Sequence, residues 1–308
     1  METILEVKNL AKKFGTFEAV KGVSFAVPKG KIVGLLGPNG AGKTTTIHML
    51  LGITTQTSGN VYYFGKEFEQ NRVEILQKVG YVSAFNTLQG RISVWENLLV
   101  FARLFQVKDA KKKILDLIDY FEIKEILSKR YWDLSSGQKT RVNLIKAFIN
   151  DLELVFMDEP TASLDPDIAD KTVRFIEEKR RENNMSILYT SHDMEEVTRL
   201  CDEVIFLDHG EIFAQDTPLG LTKRIETAIL NLTFDGDKGK VEEYLKVEKQ
   251  DFSFPHQYSV TIKTKEKQIP KLIFGLSEKD IWITDIEVKK PTLEDVFLHI
   301  ARGEKNVN

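Results

Sequence analysis

Cysteine is almost absent: Cys201 is the only one in 308 residues. No disulfide can form within the chain, which fits a reducing cytosol. Long apolar runs are also missing. No stretch approaches the ~20 residues that a membrane helix needs, so a membrane-embedded part, if the system has one, is expected on another chain. The N-terminus, METILEVKNL, has no basic-then-apolar signal pattern. Charge of one sign is lacking too. The net charge is −3, and no basic patch advertises nucleic acid or anionic lipid as a partner. Neither a 20–50-residue repeat nor a low-complexity segment is present. What is there is a globular profile, 42% apolar and 29% charged, long enough for about two domains.

The most informative segment is Gly37-Pro-Asn-Gly-Ala-Gly-Lys-Thr44, directly after the apolar run Ile32 to Leu36. It fits the phosphate-binding pattern G-x-x-x-x-G-K-[ST], with a strand expected before it and a helix, Thr44 to Leu51, after it. Gly37, Pro38, Asn39, Gly40, Ala41, Gly42, Lys43, Thr44 and Thr45 form the expected nucleotide cradle. Gly40 and Gly42 let the backbone curl so that its N–H groups converge on an anion. The helix N-terminus adds its positive dipole end. Lys43 is placed to neutralise β- and γ-phosphates and Thr44 to offer a hydroxyl to Mg²⁺.

Apolar runs over 152–157, 186–190 and 203–207 read as buried parallel strands. Between them, residues from about 92 to 150 follow a helical period, with Ile114, Leu115, Leu117, Ile118 and Phe121 as one apolar stripe. Strands alternating with helices predict a doubly wound α/β core. The texture changes near 218–222. Beyond it, Ala228, Leu230, Leu232 and Phe234 alternate with polar residues, as do Tyr258, Val260 and Ile262, and more weakly Trp282 to Val288. Helical stretches are expected around 240–246 and 269–276. Thr292 and Asp295 form a capping box for a last helix, 293–302. The organisation predicted is a larger α/β domain over 1–220, with a helical subdomain at about 88–150, and a small α+β domain over 221–308.

Four further motifs follow the phosphate loop. Leu134-Ser-Ser-Gly-Gln138 supplies a capping box, Ser135 to Gln138, for a helix over 139–148, and an exposed helix N-terminus is also an anion site. The run Leu154 to Met157 ends in Asp158 and Glu159, two carboxylates at the C-terminal edge of a buried strand, where ligands sit in open α/β sheets. Ser163-Leu-Asp165 comes next. His192, in Tyr189-Thr-Ser-His-Asp193, follows a strand as the carboxylates do.

Together these residues strongly resemble the nucleotide-binding subunit of an ABC transporter, a resemblance covering roughly residues 3–217. It implies a P-loop NTPase fold of the ABC ATPase type that binds and hydrolyses ATP with Mg²⁺. Asp158 would hold Mg²⁺ with Thr44, Glu159 would act as general base on the attacking water, and His192 would contact the γ-phosphate. Ser135 and Gly137 would bind the γ-phosphate held by the other subunit of a head-to-tail dimer, and Asp165 would couple the two sites. Phe14 matches the aromatic that stacks on adenine; the other reading of it is a core phenylalanine. Pro291 to Leu298 and Ala301-Arg-Gly303 resemble the tail of daunorubicin- and multidrug-exporter-type ATPases. The resemblance therefore implies export through a separately encoded membrane subunit, by a homodimer or paired ATPase subunits peripheral on the inner face of the cell membrane. The cargo leaves no trace in this chain.

Two departures stand out. Ser136 replaces the usual middle glycine of the signature loop, while Ser135 and Gly137 remain. At the Q-loop position, where relatives carry glutamine, stands Ala84, followed by Phe85 and Asn86; Asn86 is expected to take part of the role, with Gln89 the other nearby amide. The alternative function is a soluble ABC ATPase of DNA maintenance or translation. Only about 90 residues separate phosphate loop and signature, with no long coiled coil, and one cassette is present rather than two. A nucleotide-sensing module without catalysis sits poorly with Glu159 and His192. The absence of an Asn-Lys-x-Asp motif disfavours a GTPase.

Overall fold

The computed structural model describes residues 2–83, 87–150 and 152–301. The chain divides into two compact units, Met1–Pro218 and Leu219–Asn308.

The first unit opens with β1 (Thr3–Phe14) and β2 (Phe17–Pro28), two long strands joined by a tight turn at Gly15 and Thr16. Strand β3 (Ile32–Leu36) leads through the phosphate loop into α1 (Lys43–Leu50). Then come β4 (Ser58–Tyr63), β5 (Lys66–Glu67), α2 (Phe68–Leu76) and β6 (Val79–Ser83). The helical part holds α3 (Val94–Leu104), α4 (Ala110–Tyr120) and α5 (Ser136–Phe148). It returns through β7 (Leu154–Asp158), α6 (Pro166–Asn183), β8 (Ser186–Thr190), α7 (Met194–Leu200), β9 (Glu203–Asp208) and β10 (Glu211–Asp216).

These strands make two sheets. One is antiparallel, in the order β2-β1-β4-β5; the other runs β10-β9-β3-β8-β7-β6. In the second sheet β9, β3, β8, β7 and β6 are parallel and β10 is an antiparallel edge. Every residue of β3, β7 and β8 is buried, as strands covered on both faces must be. One core cluster joins Leu5, Val23 and Tyr63 of the antiparallel sheet to Val33, Phe156 and Leu188 of the parallel one, with Ile47 and Leu50 of α1. Burying this surface, at about 25 cal/mol per Å² of apolar area, is the main stabilising term.

Four details depart from the sequence reading. The strand ending in the two carboxylates starts at Leu154, not Leu152. Leu115 leaves the apolar stripe of α4 and is 43% exposed, whereas Ile114, Leu117 and Ile118, spaced i, i+3 and i+4 along one face, are buried. Helix α2 and strand β10 were hidden by weak patterning: α2 buries only Phe68 and Ile75, and β10 only Ala214.

Unit two begins around the short helix α8 (Pro218–Thr222). It contains β11 (Thr227–Asp235), α9 (Lys238–Val247), β12 (Asp251–His256), β13 (Ser259–Lys265), α10 (Ile269–Ser277), β14 (Trp282–Lys289) and α11 (Leu293–Ala301). The strands form one antiparallel sheet, β12-β13-β11-β14. Its core is separate: Leu230, Leu232 and Ile262 of the sheet meet Val241, Leu245 and Leu272 of α9 and α10.

At the edge of the parallel sheet where β3 and β9 begin, Asp202 accepts from Lys31 Nζ, Ile32 N and Arg180 Nη2, each at 2.9 Å. Burial raises its carboxyl pKa, but the Ile32 N–H and the two cations outweigh that and hold it below the usual aspartate value. A depressed folded pKa contributes stability at neutral pH that is lost as pH falls through it. Asp202→Ala is expected to cost about 2 kcal/mol at neutral pH, the scale of hydrogen bonds to a charged group. The gap from wild type should narrow in acid. Urea denaturation at both pH values checks this; a gap independent of pH would contradict it.

Candidate functional site

The phosphate loop forms because the buried strand β3 must turn abruptly into α1. Gly37, Gly40 and Gly42 take positive φ values of 149°, 82° and 102°. Gly42 is the N-cap of α1, and a Cβ there would sit 2.6 Å from the Ala19 carbonyl oxygen, so neither its conformation nor its neighbour admits a side chain. Asn39, Gly40 and Thr44 are exposed, Pro38, Gly42 and Thr45 half-buried, and Gly37 and Ala41 buried. Lys43 is buried to 8% exposure and its ammonium donates to the carbonyls of Gly37 (2.7 Å) and Pro38 (3.1 Å). Burial lowers its pKa, against the opposing fields of Glu159 and Asp158. The two acids and the lysine are thus neighbours, though more than 100 residues apart in sequence.

The carboxylates arrive on β7. Parallel register sets Asp158 beside Thr190 of β8, and Thr190 Oγ1 donates to Asp158 Oδ1 at 2.7 Å. Glu159 leaves the strand in the left-handed region, φ 53°, with its N–H donating to both the Thr190 carbonyl and Thr190 Oγ1 at 3.1 Å. That turn aims its side chain across to the loop after β8, where His192 Nε2 lies 2.8 Å from Glu159 Oε1. Glu159, Asp158, Lys43 and His192 therefore share the C-terminal edge of the parallel sheet, the ligand-binding edge of open α/β folds.

The signature loop caps α5. Ser135 Oγ accepts from Gln138 N, and Gln138 Oε1 from Ser135 N. A hydroxyl that accepts a cap bond keeps its own proton to donate. Gly137 lies against the Ser163-Leu-Asp165 segment of the same chain, where a Cβ would meet the Ser163 carbonyl oxygen at 2.9 Å. Asp165 is exposed at the N-cap of α6 without capping it through its side chain.

Phe14 ends β1 at 52% exposure, so the core reading of it does not hold. Lys12 Nζ lies 4.9 Å over its ring. Its register partner across the turn is Phe17. Phe17, rather than Phe14, lines the cleft of about 360 Å³ that includes Gly40 and His209, and sequence reasoning had not singled it out. Ala84, Phe85 and Asn86 lie outside the described residues. The backbone of Gln89 is fixed by the buried Asn97, which accepts from its N–H and donates to its carbonyl, both at 3.0 Å. Thr190 is a further residue the motifs did not mark; its hydroxyl is the direct partner of Asp158.

Among the described residues no group of three or more acidic, histidine or cysteine side chains could hold a metal alone. One buried carboxylate, Asp158, and one exposed hydroxyl, Thr44, suit Mg²⁺, which is commonly bound through one or two carboxylates together with substrate phosphates. Nor is any helix among the described residues long and apolar enough to cross a membrane.

Comparison with known proteins agrees with this geometry. A family model described as ABC transporter matches residues 20–162. The chain is 32% identical to the linearmycin resistance ATP-binding protein LnrL of Bacillus subtilis (strain 168), over 97% of this chain and 98% of that one. It is 30% identical to the bacitracin transport ATP-binding protein BcrA of Bacillus licheniformis, over 98% and 99%. It is 37% identical to the Nod factor export ATP-binding protein I of Cupriavidus metallidurans, over 71% and 72%. Its fold matches a solved ATP-binding subunit of an ABC transporter with TM-score 0.67 at 25% identity, over 72% of this chain and 92% of that one. A dimeric ATP-binding cassette bound to ADP and Pi shares the fold, with TM-score 0.64 at 23% identity over 70% and 98%. A lysine-bearing phosphate loop facing paired carboxylates, on a fold and sequence shared with these proteins, places the chain in the ABC transporter family as an ATP-binding, ATP-hydrolysing subunit of a transport system.

Proposed function

We propose that the chain drives export through a separately encoded membrane subunit, on the inner face of the membrane, as one half of a homodimer or ATPase pair. The observation that carries the catalytic part is the Glu159–His192 contact beside Asp158 and Lys43. In this reading Phe14 stacks on the base, residues 37–45 wrap the phosphates, and Lys43 leaves the Gly37 and Pro38 carbonyls for phosphate oxygens. Glu159 accepts the proton of the attacking water, and His192 orients Glu159 and the γ-phosphate. Asp158 and Thr44 would hold Mg²⁺, which would supply charge neutralisation on the phosphates. Ser135, Gly137 and Asp165 serve the nucleotide of the opposite subunit.

The export direction is supported by a relative named for Nod factor export that matches 97% of this chain. The ABC-2 (daunorubicin/multidrug-exporter) assignment rests on the tail resemblance at 291–303, and relatives named for linearmycin resistance and bacitracin transport match nearly the whole chain, second unit included. Residues 1–220 form the ATPase domain and 221–308 an accessory domain that steadies the dimer or the membrane-subunit contact. It contributes none of the motif residues.

Removing a general base costs about 10²–10⁴-fold in rate. Glu159→Gln should therefore bind ATP with near-normal affinity, hydrolyse it slower by that factor, and accumulate as ATP-dependent dimers by light scattering. Near-normal turnover would sink the assignment. Lys43→Ala should instead lose nucleotide affinity.

Mg²⁺ should bind only with nucleotide, because the chain offers it too few ligands of its own. Calorimetric titration of the nucleotide-free protein with Mg²⁺ should give no binding heat, and with ATP present the heat should differ from that of the same Mg²⁺–ATP titration without protein. Tight binding without nucleotide would refute this donor set.

The membrane partner is tested by affinity purification from detergent-solubilised cells. A polytopic membrane protein should co-purify in stoichiometric amount, and recovery of the chain alone from intact, active membranes would count against the export reading.

A further inference from the structure

Glu196 stands on the first turn of α7, four residues past His192, outside every motif discussed so far. Its Oε2 accepts hydrogen bonds from three hydroxyls: Tyr189 at 2.7 Å, Thr161 at 2.9 Å and Ser191 at 3.0 Å. Thr161, Ser191 and Tyr189 are all buried. Burial, reinforced by the neighbouring Glu196 charge, pushes the Tyr189 phenol well above its usual pKa, so it remains a donor.

The positions of these donors matter more than their number. Thr161 is two residues beyond Glu159 on the loop that leaves β7. Ser191 immediately precedes His192 on the loop that leaves β8. His192 and Glu159 touch at 2.8 Å. The contacts close a ring: Glu159, Pro160 and Thr161, across to Glu196, back through Ser191 and His192 to Glu159. Cutting the ring at Glu196 would leave the separation of the two loops unset on that side.

Glu196 is itself held in place. Asp193 Oδ1 caps α7 by accepting from Glu195 N and Glu196 N. Arg199, one turn further on, donates to Asp170 and Glu177 of α6 at 2.7 and 2.8 Å. Helix α7 is therefore anchored at both ends, and its carboxylate is a fixed post rather than a mobile side chain. Hydroxyl bonds to an ionised carboxylate are also roughly twice as strong as neutral ones.

We propose that Glu196 is a positioning residue for ATP hydrolysis, setting the Glu159–His192 geometry by tethering Thr161 and Ser191 at a fixed separation. The inference rests on the roles assigned above to Glu159 and His192. Glu196 lines the same cavity as Glu159 and His192 but reaches them only through Thr161 and Ser191; it is assigned no contact with nucleotide, so its loss should appear in turnover rather than in ATP affinity.

The test measures steady-state ATPase and ATP binding on the full chain for Glu196→Ala, Glu196→Gln, His192→Ala and the Glu196→Ala/His192→Ala double variant. A misplacement of about 1 Å can cost about 10²-fold. Glu196→Ala should lower kcat by about 10- to 100-fold on that scale with the ATP KM within about twofold, and Glu196→Gln, which keeps an acceptor oxygen, should lose less. The double variant should be no slower than His192→Ala, because the geometry that Glu196 maintains is already lost. Multiplicative losses in the double variant, or a folded Glu196→Ala with kcat within about twofold of wild type, would overturn the proposal. Should Glu196→Ala not fold, Ser191→Ala and Thr161→Val each cut one tether and leave the carboxylate in place, and the same results decide. A His192→Ala variant as fast as wild type would overturn the His192 role and the Glu196 proposal with it. A slow His192→Ala beside a fast Glu196→Ala would overturn the tether alone.

Discussion

Asp158 is a carboxylate at 7% exposure at the end of a fully buried strand, and its Oδ1 accepts from Thr190 Oγ1 on the next strand. A buried charge without partners is costly, so the register between β7 and β8 is tied to this bond. One step of slippage would turn Thr190 to the opposite face and leave Asp158 without its hydroxyl. The same register carries everything attached to the two strand ends. It sets Glu159 opposite the residues that lead to His192, and it aligns both with β3, whose end opens the phosphate loop. The site is therefore a consequence of sheet alignment, and the hydrophobic core between the two sheets serves chemistry by holding that alignment.

Glu159 shows how the alignment is used. A non-glycine residue in the left-handed region costs on the order of 1–3 kcal/mol when strained. Here the residue is pinned by two acceptors for its N–H, the Thr190 carbonyl and hydroxyl. A continued extended strand would alternate its side chain to the far face of the sheet. The left-handed turn instead sends the carboxylate towards His192. Strain at this residue and the hydrogen bonds of its neighbour are two sides of one arrangement.

The parts of the site that could be read from the chain are those whose geometry is local. The phosphate loop, the capping box at Ser135 and the carboxylates at a strand end each follow from residues within about ten positions; the glycines of the loop take the expected positive φ values and the capping box has both its hydrogen bonds. What could not be read depends on distant segments meeting. Thr161 and Glu196 are 35 residues apart, and nothing in either neighbourhood announces the other. Gly137 against Ser163 is a similar case, invisible until the helical part and the sheet are seen together. Phe14 shows the converse. Its spacing allowed a core residue or an exposed ring, and only the exposure measured at the hairpin end separates them. In the second unit, clean alternation made β11 and β13 legible, whereas β12 buries no residue fully and gave no period to read.

The separation of cores places a limit on how the second unit can act. Its sheet and helices close around their own apolar residues, Leu230 to Leu276, so its folding does not require the nucleotide site. None of the groups gathered at the strand ends comes from it. An influence of this unit on hydrolysis can shift a population only by favouring one state over another. Within the first unit the elements suited to such a response are the two loops after β7 and β8. They carry Glu159 and Asp165 on one side and His192 on the other, and they are fastened to the framework at Thr190 and Glu196. A force that changed the spacing of α6 and α7, which Arg199 now ties together through Asp170 and Glu177, would act on both loops at once.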